Sequence, residues 1–154
     1  MRLRTVYYFF KILTVLFFLF SFSQSSSALT LDENKVSAGN LDHLNLAFKE
    51  LAKSDGYVAE QWDVVIGKSI VNNPTNFLEA YKQNKSSVTR LDALVGNLGV
   101  EFIDNFKKQA AEIHKRIKAL KSVKNRNLKS YAIECIKQLE YNLKVVEEPI
   151  NSDQ

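Results

Sequence analysis

Ser69–Ile–Val–Asn–Asn–Pro–Thr–Asn–Phe–Leu–Glu–Ala–Tyr81, SIVNNPTNFLEAY, sets three asparagines, a threonine and one of the two prolines between apolar runs. Proline has no N–H and a φ already close to the helical value, so it suits the first position of a helix. It also disfavours helical geometry at the preceding residue, so a helix arriving from upstream must stop at Asn73. Asn73 is itself a good N-cap. The stretch therefore reads as a corner between two helices, with Phe77, Leu78 and Tyr81 turned into a core. Asn72 and Asn76 are not needed for the corner, and they are expected not to face a groove.

Working outward, the apolar residues keep helical spacing on both sides. Upstream, Val58, Trp62, Ile66 and Ile70 recur every four residues, and Val65 widens the stripe over Tyr57–Val71. Before that, Leu41, Leu44, Phe48 and Leu51 mark a first helix, with Asn40 as its cap and Gly56 suited to a left-handed stop. Downstream, Val88, Leu91, Leu94, Val95 and Leu98 mark a fourth helix that Gly99 can close. Ile103, Phe106, Ala110, Ile113, Ile117 and Leu120 alternate steps of three and four, which predicts a long amphipathic fifth helix. Asn127 can cap a sixth, with Leu128, Ala132, Ile136, Leu139, Leu143 and Val146 on one face.

No segment shows a convincing period of two, and no hairpin dipeptide separates apolar runs. The fold class is all-α, with about six helices joined by short links. Two architectures satisfy this pattern: stacked antiparallel helical pairs of the armadillo or HEAT kind, or a closed helical bundle.

The first 28 residues follow a different logic. Arg2, Arg4 and Lys11 give a positive start, Ile12–Phe20 is apolar, and Ser21–Ala28 ends in small side chains. This is the layout of a secretory signal peptide, with the cut expected after Ala28. A membrane span needs about 20 apolar residues, and Lys11 interrupts this run, although retention as an N-terminal anchor is the alternative. Residues 29–40 read as a polar spacer, 41–148 as a single α-helical domain, and 149–154 as a tail that begins at Pro149. The whole chain has 21 basic and 17 acidic residues, but three bases and no acid fall in the leader, leaving 18 against 17 and a net charge of +1. The basic character of the full chain is therefore no argument for nucleic acid binding. Cys135 is the only cysteine, so no internal disulfide can form, and its helical position beside apolar residues predicts a buried thiol.

Chemical motifs are sparse. Ile66–Gly67–Lys68–Ser69 resembles the end of a P-loop, but Trp62 stands where the motif needs glycine, and the context is a helix. His43 and His114 have no partner at metal-ligand spacing, so no metal or other cofactor is expected. There is no nucleophile elbow and no Ser-x-x-Lys pair. Catalysis is unsupported, and an enzyme would have to assemble its site from His43, His114 or Cys135.

One charge feature stands out. Lys107–Lys129 holds nine basic residues and one acid, Glu112, for a net charge of +8, leaving −7 on the rest of residues 29–154. On the fifth helix Lys107, Lys108, Lys115 and Lys118 fall on one flank, a candidate contact for an anionic protein, polymer or lipid. Asp104–Lys108 and Glu112–Arg116 are also spaced as favourable intrahelical pairs. No aromatic residue interleaves with the bases, which argues against single-stranded nucleic acid.

A helix carrying Gly67, then Asn73–Pro74 and Phe77–Leu78–Glu79–Ala80, resembles exported bacterial proteins of unknown function with an armadillo- or HEAT-like fold, over residues 41–98. That resemblance implies a binding scaffold without known catalytic residues. The expected function is an exported, periplasmic, non-enzymatic binding module for a protein partner, inhibitor- or adaptor-like. The alternatives are an envelope protein that binds an anionic polymer or lipid through the basic flank, and a small hydrolase.

Overall fold

A computed structural model describes residues 30–152, with side chains described from 30 to 148. The expected leader lies outside the described residues. Leu31–Gln154 forms one compact unit, and among its described residues there are only helices, short 3-10 turns and loops. Seven α-helices follow in order: α1 Glu33–Ser37, α2 Leu41–Leu51, α3 Gly56–Asn72, α4 Pro74–Asn84, α5 Leu91–Gly96, α6 Phe106–Lys121 and α7 Lys129–Ser152. No described helix is long and apolar enough to cross a membrane.

The Ser69–Tyr81 corner forms as its chemistry dictates. α3 ends at Asn72, Pro74 opens α4, and the Asn73 side chain accepts from the Asn76 N–H at 3.2 Å. Phe77, Leu78 and Tyr81 enter the core. Asn72 and Asn76 serve the fold as well. Their side-chain amides donate to the carbonyls of Ser37 and Gly39, at 2.8 and 2.9 Å. The corner is thereby tied to the end of α1.

That tie overturns the reading of residues 29–40 as a spacer. Asp32 caps α1 through its side chain, and Val36 is fully buried. Gly39, at φ +79°, then ends α1 in the left-handed conformation. The Gly39 N–H bonds to the Val36 carbonyl and the Asn40 N–H to the Lys35 carbonyl, the paired bonds of a Schellman stop. Five residues carry too short a period to stand out in the sequence. The same brevity hides α5, which covers only part of the expected fourth helix, with Val88 and Leu98 packing from its flanking loops. Gly56 does adopt a left-handed φ of +49°, but as the first residue of α3 rather than the stop of α2. At the other end, α7 runs past Pro149 to Ser152 instead of ending there.

The helices share one core. α2 packs on α4, α3 on α5 and α5 on α7, while α3 also meets α6 and α6 lies along α7. An aromatic relay crosses this core. Phe48 meets Phe77 with centroids 6.4 Å apart, Phe77 stacks on Tyr81 at 6.3 Å, and Tyr81 meets Tyr131 edge-on at 6.0 Å. Such pairs contribute about 0.5–1.5 kcal/mol each beyond their burial.

Candidate functional site

The fifth helix departs from expectation at its start, and that departure leaves Ile103 to line a groove. Asn105 caps α6 by accepting from the Lys108 N–H at 3.0 Å, so the helix begins only at Phe106. Ile103 belongs to the preceding turn, is 61% exposed, and does not join the buried seam; Phe106 is also exposed. Glu101 and Asp104 likewise precede the helix, so Asp104 and Lys108 are not an intrahelical pair.

Between the first half of α3 and the Asn97–Ile103 segment lies a groove of about 370 Å³. Tyr57, Val64 and Val65 line one wall, Val100 and Ile103 the other, and Glu33, Glu60 and Glu101 also face the groove. Val100 is 80% exposed and Tyr57 71%. Isolated exposed apolar residues are ordinary, and here three of them, Tyr57, Val100 and Ile103, line one concavity.

A buried arginine shapes the second wall. Arg116 is 1% exposed and has no carboxylate partner among the described residues. Its Nη1 donates to the carbonyls of Val95 at 2.6 Å and Asn97 at 3.3 Å, taking up acceptors at and just beyond the C-terminal end of α5. Burial pushes its pKa down to about 10, and its buried Nε has no hydrogen-bond partner among the described residues. The Asn97 side chain extends the arrangement, donating to the Glu60 carbonyl at 3.4 Å and accepting from the Gly99 N–H at 3.1 Å. The chain is thus pinned just before Val100. Gly67, the glycine of the P-loop-like tetrapeptide, gives the guanidinium room: a Cβ there would lie 2.8 Å from Nη1.

No protein-family model, curated protein or solved structure matches the chain.

The basic run divides. Lys107, Lys108, Lys115 and Lys118 are all exposed on α6. Lys115 pairs with Glu112 at 3.1 Å, whereas Lys107, Lys108 and Lys118 make no ion pair among the described residues. Lys121 reaches Glu140 on α7 at 3.5 Å. Arg116 leaves the run altogether, because it points into the core and not toward solvent. A sequence signal for this existed: Arg116 lies three residues after Ile113 and four before Leu120, within the apolar seam.

The three residues considered for catalysis occupy separate settings. His43 is buried, and its Nδ1 accepts from the Asp32 N–H at 3.2 Å. His114 is exposed, with Nε2 3.4 Å from Glu147 Oε1. Cys135 is buried as expected, and its thiol is pushed up to about 12, chiefly by burial. Thiolate is the reactive form, so the native protein should resist a thiol reagent at neutral pH and label fully once denatured. Rapid native labelling, followed as absorbance of the released thiolate, would contradict this placement.

A second pocket, of about 290 Å³, lies where the α2–α3 turn meets the Ser87–Arg90 loop. The Asp63 side chain on its wall is 2% exposed and meets Arg90 Nη2 at 3.1 Å. Burial raises the Asp63 pKa, and Arg90 only partly opposes this. A carboxyl raised in the folded state contributes stability below its unfolded pKa and loses it as pH rises through the folded value. Asp63→Asn should therefore be at least as stable as the parent at neutral pH, and the difference should shrink in acid. Urea midpoints at pH ~7 and ~4 test this. A large loss at neutral pH would mean that the Arg90 pair outweighs burial.

Proposed function

We propose that this protein is an exported, non-enzymatic binding module whose protein partner seats in the groove between α3 and the Asn97–Ile103 segment. The observation that carries this reading is the convergence of exposed Tyr57, Val100 and Ile103 on one concavity whose wall is pinned through a buried arginine. Export rests on the leader-like layout of residues 1–28, and the periplasm is the address we favour. A second reading has its own support. Lys107, Lys108 and Lys118, which make no ion pair among the described residues, would bind an anionic envelope polymer or lipid through long-range attraction, weakened by salt.

Capture of partners from an envelope extract separates the two. Val100→Asp with Ile103→Asp should abolish capture if the groove binds, while Lys108→Glu, Lys115→Glu and Lys118→Glu together should leave it intact. The reverse pattern would move the function to the basic flank. All five positions are exposed, so each variant should keep the parent's helical circular dichroism.

A further inference from the structure

The charges around the groove identify its occupant. Glu33, Glu60 and Glu101 line it, and no lysine, arginine or histidine does. Among the described residues, Glu33 and Glu60 make no ion pair; Glu101 has only Lys68, at 3.9 Å, with both side chains about half exposed. An exposed pair of that length contributes little and is easily exchanged. The apolar contacts come from Tyr57, Val100 and Ile103, spread over both walls. An acidic groove with apolar anchor points repels an acidic segment and attracts a basic one, through attraction that sets orientation and association rate. The basic residues of this chain are instead concentrated in Lys107–Lys129, outside the groove lining.

We infer that the groove takes a cationic segment of another protein. One bulky aliphatic or aromatic side chain would seat between Tyr57, Val100 and Ile103. Flanking lysines or arginines would meet Glu33, Glu60 and Glu101. The inference rests on the groove reading above and adds the chemistry of the partner.

Three fluorescein-labelled peptides of equal length test it by anisotropy. All carry the same leucine and phenylalanine anchors, with lysine, glutamine or glutamate between them. The lysine peptide should bind most tightly, and its affinity should fall with added salt. Glu60→Lys with Glu101→Lys should weaken it by at least roughly tenfold and improve binding of the glutamate peptide. Val100→Asp should weaken the glutamine peptide as well. Equal binding of all three peptides, lost in Val100→Asp, would overturn the cationic assignment while keeping the groove. Absence of binding by any peptide would overturn both. Concentration-dependent self-association in sedimentation, lost in Val100→Asp, would place a second copy in the groove and also overturn the assignment.

Discussion

Arg116→Ala should lose roughly 2–4 kcal/mol of stability, read as a lowered urea midpoint with an unchanged slope. Three contributions set the sign. Truncating one of the largest fully buried side chains leaves a cavity between α3, α5 and α6. The carbonyls of Val95 and Asn97 lose a donor, and an unsatisfied buried acceptor costs about 1–3 kcal/mol. Against these, the variant no longer buries a cation that, among the described residues, has neither a carboxylate partner nor a hydrogen bond at Nε. The short 2.6 Å bond and the loss of volume together outweigh that relief. Arg116→Met keeps most of the volume and removes the charge, so it should fall between the parent and Arg116→Ala. A Met variant more stable than the parent would show that burying the cation is a net cost. Releasing the Asn97 carbonyl should also loosen the Val100 wall, so peptide affinity should drop even where the variant remains folded.

The same residue shows where sequence reading stops. Helix positions were legible wherever a long apolar period ran: the α3–α4 corner, the α7 face and the Ile113–Leu120 part of α6 all form as spacing predicts. Spacing alone extended the α6 seam back to Ile103 and Phe106, because a period of three and four does not reveal a cap. Asn105 supplies that cap, and the chain turns before the helix begins. Charged residues inside a seam carry a signal too, in their position. Asp63 lies four residues after Ala59 and three before Ile66, as Arg116 lies between Ile113 and Leu120, and both are buried. Counting charges treats every lysine and arginine as solvated, so it leaves Arg116 within the basic run. The groove was not legible, since its walls come from segments some forty residues apart, and Val65 and Ile103 had been read as parts of buried stripes.

Gly39→Ala is expected to cost about 2–5 kcal/mol, although it adds one methyl group and touches no charge. Gly39 holds φ +79°, where an L-residue with a Cβ pays about 1–2 kcal/mol. An added Cβ would also overlap the Cβ of Asn73, closer than any real contact allows. Asn73 cannot retreat easily. It caps α4, precedes Pro74, and sits at φ −152° beneath the bond from Asn76 to the Gly39 carbonyl. Overpacking of this kind costs a further 1–3 kcal/mol or so. Gly56→Ala is the control, because Gly56 has a φ of +49° but nothing within 4 Å of its added Cβ. It should cost only the backbone share, about 1–2 kcal/mol. Equal losses for the two variants, measured by urea unfolding, would show that the α1 end and the Asn73 corner do not support each other. A larger loss at Gly39 assigns the excess to their contact, which is what turns the polar stretch at Ser69–Tyr81 from a helix break into a joint between three helices.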